Sequence, residues 1–182
     1  MDFHRTRSAE VVLYLDLDGV VHHEAVYWHP RRGIYIHEHV RDRTLFEWIP
    51  QLQAALLPYP QVALVLSSSW CVRPGYAKTL KRFPDDLRRR FIGGTYHKRH
   101  HGVDPWMLQS FRETPRGEQI LQDVRRRRPH QWLALDDDDY KWPPQIRDHL
   151  IHCDGERGLS DLAVLGKLDA ALQKCCSAIT TS

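Results

Sequence analysis

The sequence predicts an α/β fold in a single domain: a mostly parallel sheet of about five strands, covered by helices on both faces. Three observations predict it. Short runs that are apolar throughout recur along the chain, and such strands are buried on both faces, as in parallel sheets. Between them lie helical patterns, with apolar residues three and four apart. No internal repeat or long linker divides the 182 residues, a length that one hydrophobic core accommodates.

Val11-Val12-Leu13-Tyr14-Leu15 is the first strand, rich in β-branched and aromatic residues and ended by Asp16-Leu17-Asp18-Gly19. Residues 20–43 are polar, aromatic and histidine-rich, with Pro30 and Gly33, and predict a long loop or small flap. Leu45, Trp48, Ile49, Leu52 and Leu56 then repeat at helical spacing until Pro58 and Pro60 end the helix. Val62-Ala63-Leu64-Val65-Leu66 is the second strand, closed by Ser67-Ser68-Ser69-Trp70. A helix from about Tyr76 to Phe83 follows, and Pro84-Asp85-Asp86 opens a short second one.

Phe91-Ile92-Gly93-Gly94-Thr95 is a short third strand, and residues 96–112 are basic and loop-like. Pro115 opens a helix carrying Ile120, Leu121 and Val124. Trp132-Leu133-Ala134-Leu135 is the fourth strand and Leu150-Ile151-His152-Cys153 the fifth. A closing helix from Ser160 presents Leu162, Leu165, Leu168 and Leu172, with a flexible tail from about residue 175 to 182. The whole, 1–182, is expected to be one Rossmann-like domain.

Composition narrows the function class. Hydrophobic residues at 42% and charged residues at 27% suit a globular protein. No apolar run approaches the roughly 20 residues of a membrane helix, so a membrane partner is not expected. The N-terminus lacks the apolar core of a signal peptide, which makes the cytoplasm the default location. Cys71 and Cys153 stand alone and Cys175-Cys176 are adjacent, a pattern with neither metal-ligand spacing nor a disulfide framework. The net charge of +3 is mild. Basic residues gather at 88–90, 97–101 and 125–128, and acids at 136–139. Nothing in the sequence sets an oligomeric state.

Ligands of open parallel sheets bind at the carboxyl ends of the strands. That rule makes neighbours of Asp16, Asp18, Ser67, Ser68, Ser69, Asp136 and Asp137. Collecting carboxylates there is costly: two unit charges at about 4 Å repel by about 4 kcal/mol at an effective dielectric of about 20. They must take up protons or hold a cation. An all-oxygen site suits Mg²⁺, whereas Zn²⁺ favours His and Cys. With the charge offset, one carboxylate is free to attack a phosphoryl group, and Asp is an established nucleophile of this kind. His22-His23-Glu24 and His37-Glu38-His39 also suggest a metal, but strand neighbours point to opposite faces and no fixed partner exists, so zinc is set aside.

Asp16-Leu17-Asp18-Gly19-Val20 after an apolar strand resembles the first motif of the haloacid dehalogenase (HAD) superfamily. The resemblance implies that Asp16 is the nucleophile and a metal ligand. Asp18 becomes the general acid/base, its main-chain carbonyl a further ligand. The second motif, a hydroxyl residue after the second strand that binds the phosphoryl oxygen, falls on Ser68, with Ser67 next. The third motif is usually Lys. Here Arg116, in Pro115-Arg116-Gly117-Glu118, is the best match, with Lys98, Arg99 and Arg112 as rivals. The fourth motif, an acidic pair that supplies the metal, is Asp136-Asp137, with Asp138 and Asp139 supporting or solvent-facing.

Ser69-Trp70, Arg116-Gly117, residues 132–137 and Gly158-Leu159-Ser160 are most similar to one branch, the HAD domain of bacterial Swiss Army Knife RNA repair proteins. What this implies is a Mg²⁺-dependent phosphomonoester hydrolase working through an aspartyl-phosphate on a phosphorylated substrate, with nucleic-acid ends in RNA repair as the suggested class. No insertion is large enough for a cap domain, so an open site is expected. Tyr27, Trp28 and Tyr35 then either stack on a base or pack over the sheet edge. The basic segment 97–101 either meets phosphates or is solvated. Arg125 to Arg128 close a helix, where cations offset its dipole. The alternative function is a non-catalytic HAD-like module that binds nucleic acid or a protein, kept open by Arg in place of Lys.

Overall fold

A computed structural model of the chain describes residues 10–97 and 104–180. Five strands form one parallel sheet: β1 (Val11–Leu15), β4 (Val62–Leu66), β5 (Phe91–Gly94), β6 (Gln131–Asp136) and β7 (Leu150–His152), in the order β5-β4-β1-β6-β7. The expected α/β class and parallel sheet are what the chain adopts. β1 lies at the centre, and its two-sided burial explains its composition. Val11, Leu13 and Leu15 enter one core cluster while Val12 and Tyr14 enter the other, as the period of two requires.

The larger core contains Leu52 and Leu56 of α1 (Ile49–Leu56), Leu87 of α3 (Asp85–Arg88), and Val164, Leu168 and Leu172 of α6 (Leu162–Thr180). α2 (Tyr76–Leu80) lies between β4 and α3 in sequence. On the opposite face, Ile120 of α5 (Arg116–Arg127) packs with Trp132, Trp142 and Ile146. A buried polar contact crosses that side: Tyr14 Oη donates to Asp123 Oδ2 at 3.0 Å, and Arg126 and Arg127 pair with the same carboxylate. Two arginines of the 125–128 cluster therefore satisfy a buried acid as well as closing a helix.

Four expectations need correction. Residues 20–43 hold a two-stranded antiparallel hairpin, β2 (Val26–His29) and β3 (Gly33–Ile36). The first helix begins at Ile49, not near Leu45, because Pro50 is tolerated only in a first turn. Within the stretch expected as loop, α4 spans Pro105–Glu113, with Asp104 Oδ1 accepting from the Trp106 N–H at 2.8 Å. The closing helix continues through Thr180 with Cys175 buried, so the described part of the expected tail is packed helix. Among the described residues, no helix is long and apolar enough to cross a membrane.

Candidate active site

The parallel ladder continues just beyond the strands and sets the site. The Asp16 N–H donates to Leu135 O at 3.0 Å, that of Ser67 to Leu15 O at 2.8 Å, and that of Thr95 to Leu66 O at 2.9 Å. Asp16, Ser67, Thr95 and Asp136 thus leave four adjacent strands at one edge, all buried. Asp136 Oδ1 accepts from the Asp138 N–H at 3.0 Å, which fixes the carboxylate against its own turn. Gly19, at φ 70°, makes the turn after Asp16 possible, since a Cβ there would run into the Asp137 carboxylate.

Asp16, Asp136 and Asp137 each offer an oxygen within 4.8 Å of the others. Burial, reinforced by the charge of Asp16, pushes the Asp136 carboxyl well above the usual range. The same causes bring Asp137 up to about 7. Burial also raises Asp16, against the pull of Arg116 and a hydrogen bond from Ser68.

The opposing charge is Arg116, whose Nη2 lies 3.7 Å from Asp16 Oδ2 and whose Nε lies 3.4 Å from Asp136 Oδ2. Burial works against that guanidinium's charge, but Asp16 and Asp136 hold it firmly protonated. Arg116 opens α5, where the helix dipole disfavours a cation, so these carboxylates are what make the position tenable. Its aim is fixed locally. Nη1 donates to Gln119 Oε1 at 3.2 Å, and Gln119 Nε2 donates to Phe111 O and Thr114 O, each at 2.9 Å. A Cβ on Gly117 would meet Pro143 Cδ at 2.6 Å, so this glycine lets the first turn of α5 sit against Trp142-Pro143.

Asp18 is held differently. The Trp70 indole Nε1–H donates to its Oδ1 at 2.9 Å, and His22 Nε2 lies 2.9 Å from the same oxygen. Its side chain is not one of the three clustered carboxylates, which leaves its main-chain carbonyl as the metal ligand implied by the resemblance. Ser68 contacts Asp16 and accepts from the Trp70 N–H at 3.4 Å. Ser67 is fully buried, and its hydroxyl has no hydrogen-bond partner among the described residues. Asp138 caps Tyr140, and Asp139 pairs with Arg147 at the surface.

Seven buried side-chain nitrogen or oxygen atoms lack a hydrogen-bond partner among the described residues, and five belong to Asp16, Ser67, Thr95, Arg116 and Asp136. Unpaired buried polar atoms are costly and rare. Their concentration at one sheet edge, two of them carboxylate oxygens, fits a small hard cation and an anionic oxygen group. The residues present therefore suit Mg²⁺.

Beside the cluster lies a cleft of about 270 Å³ lined by Asp18, Tyr27, Trp28, Arg73, Arg112 and Arg116, among others. The hairpin forms one wall. Trp28 is 46% exposed, with the Arg73 guanidinium 4.1 Å from its ring centroid. Of the residues named as alternatives to Arg116, Arg112 lines this cleft, whereas Lys98 and Arg99 lie outside the described residues. Sequence reasoning passed over Thr95, Gln119, and the parts played by His22 and Trp70. Thr95 was available from the same strand-end rule that selected Asp16. The other three act through tertiary packing that no local pattern announces.

A family model for the HAD domain in Swiss Army Knife RNA repair proteins matches residues 12–164. No curated protein and no solved structure matches the chain. The matched span runs from β1 into α6 and includes every carboxylate of the cluster. The chain belongs to the HAD domain family of the Swiss Army Knife RNA repair proteins.

Proposed function

We propose that this chain is a Mg²⁺-dependent phosphomonoesterase that forms an aspartyl-phosphate on Asp16 and takes phosphorylated nucleic-acid ends. The observation that carries the reading is the group of buried polar atoms on Asp16, Asp136, Ser67 and Arg116 that have no hydrogen-bond partner among the described residues. Asp16, Asp136 and Asp137 would hold Mg²⁺, which when bound offsets carboxylate and phosphoryl charge.

A carboxylate oxygen of Asp16 attacks phosphorus, and the P–O bond to the leaving group breaks as Asp18 gives that oxygen a proton. Asp18 then takes a proton from water as the water attacks the same phosphorus. The Asp16–phosphoryl bond breaks, and inorganic phosphate leaves. Arg116, with Ser68 and Ser67, binds the phosphoryl oxygens, and its charge matches the group transferred. The exposed Trp28 and Tyr27 beside Arg73 and Arg112 suit a base and its neighbouring phosphates.

The alternative, a non-catalytic module, drew on Arg standing where Lys is usual. Arg116 reaches both Asp16 and Asp136, so the departure keeps a cation beside the nucleophile. Purified chain should hydrolyse p-nitrophenyl phosphate with Mg²⁺, lose turnover in chelator, and lose it on Asp16→Asn. Full turnover by folded Asp16→Asn would refute the assignment.

A further inference from the structure

We propose that His22 and Trp70 are positioning residues for the Asp18 carboxylate, locking one oxygen so that the other serves proton transfer; this rests on Asp18 as the acid/base. The two donors converge on a single atom. The Trp70 Nε1–H and His22 Nε2 each lie 2.9 Å from Asp18 Oδ1. On the far side of the imidazole, the Phe46 N–H donates to Nδ1 at 3.3 Å. A nitrogen accepting from an amide carries no proton, so the ring proton sits on Nε2 and points at Asp18.

The two side-chain hydrogen bonds that Asp18 accepts among the described residues both fall on Oδ1, and Asp18 lines the cleft beside Arg116. A carboxylate with one oxygen doubly bound cannot rotate without breaking both bonds. Its second oxygen is thereby held in one orientation, which is how a fixed partner group contributes to catalysis.

The surroundings hold both donors in place. His22 is fully buried and Trp70 nearly so. Phe46 sits at φ 64°, a backbone conformation strained for a bulky residue. The Phe46 ring packs on His22 at 5.2 Å, Trp70 at 5.4 Å and Phe83 at 5.3 Å between centroids. That strained residue is the one whose N–H sets the His22 tautomer. Strain of this kind collects at functional sites.

The test compares kcat/KM for phenyl phosphate and p-nitrophenyl phosphate, which share the aryl phosphate ester but differ in how much the leaving oxygen needs a proton. Asp18→Asn is the reference and should depress phenyl phosphate about a hundredfold more than p-nitrophenyl phosphate. Trp70→Phe and His22→Leu should each show the same selective loss at about tenfold. His22→Gln, which still offers an N–H to Asp18, should recover most of it. Equal losses on both substrates, or none, in Trp70→Phe and His22→Leu would overturn the positioning role while Asp18→Asn keeps its signature. An Asp18→Asn variant without that signature would instead overturn the acid assignment, and the positioning with it. Should His22→Leu not fold, Trp70→Phe and His22→Gln decide between the same outcomes.

Discussion

The Arg116 guanidinium stands 3.7 Å from Asp16 Oδ2 while the Arg116 Nε faces Asp136 without the alignment of a hydrogen bond. One cation is thus shared by two buried carboxylates and fully satisfied by neither. Removing it by Arg116→Ala strands both acids, and breaking a buried pair in this way costs about 3–5 kcal/mol. Arg116→Ala should melt well below the parent in chelator and be inactive with Mg²⁺ present. Arg116→Lys keeps the charge but not the forked geometry that also reaches Gln119. It should retain turnover within about a factor of ten of the parent, because charge beside the transferred group matters more than fork shape. Melting curves and kcat for the two variants check both statements.

Stability in chelator should fall as pH rises. The Asp137 carboxyl titrates near 7 in the folded chain, against an ordinary value of 3.8. Between those values the folded state holds a proton that the unfolded chain has released. This group's stabilising effect is complete below about pH 4 and disappears as pH climbs through 7. Asp136, raised in the same direction, adds to the trend. Mg²⁺ should bind more tightly over the same rise, since metal and proton compete for the oxygens. Tm measured against pH in chelator should slope downward from about pH 4 to 7, and Asp137→Asn should flatten it.

Asp16→Asn should stabilise the metal-free protein even as it abolishes turnover. The charge of Asp16 contributes to the upward shifts of both Asp136 and Asp137, and the amide removes it at nearly constant shape. With excess Mg²⁺ the order should narrow or reverse, because a ligand that binds only the folded state stabilises the parent more. Melting both proteins in chelator and in Mg²⁺ provides the check. A lower Tm for the variant in both conditions would mean that Asp16 is held for structure.

Much of this was legible in the sequence, for physical reasons. β1, β4 and β6 are buried on both faces, and that leaves an unbroken apolar run that no surface element shows. Asp16, Ser67 and Asp136 followed from the chain leaving those strands, Arg116 came from the resemblance to the third HAD motif, and the structure gathers all four. Weaker patterns hid the rest. Of α4 only Phe111 is buried, so its periodicity is faint, although Asp104-Pro105 is a helix-start signal. The hairpin's residues are half-buried or exposed, with no alternation to find. Trp70 and His22 meet Asp18 through tertiary packing around Phe46, which a one-dimensional pattern does not encode.

The cleft should distinguish large polyanionic substrates from small ones. Arg73→Ala and Arg112→Ala should lower kcat/KM on an end-phosphorylated RNA oligonucleotide more than on p-nitrophenyl phosphate. Removing an arginine that neutralises one phosphate should also reduce the steepness with which added salt weakens the reaction, by a log–log slope of about 0.7 for a single strand. Trp28→Ala should reduce RNA turnover by about fivefold or more by removing a stacking surface. Equal effects on both substrates, independent of salt, would count against a nucleic-acid end in this cleft.

The covalent step gives the most direct measurement. With Asp18 as the proposed acid/base, Asp18→Asn should slow the attack of water more than loss of p-nitrophenolate, a leaving group that needs little proton help, and so let the phosphorylated enzyme accumulate. After incubation with Mg²⁺ and p-nitrophenyl phosphate, then an acid quench, mass spectrometry should find one phosphoryl group on the peptide containing Asp16. The double variant Asp16→Asn, Asp18→Asn should carry none. A phosphoryl group on another residue, or one that persists when Asp16 is replaced, would contradict Asp16 as the attacking carboxylate.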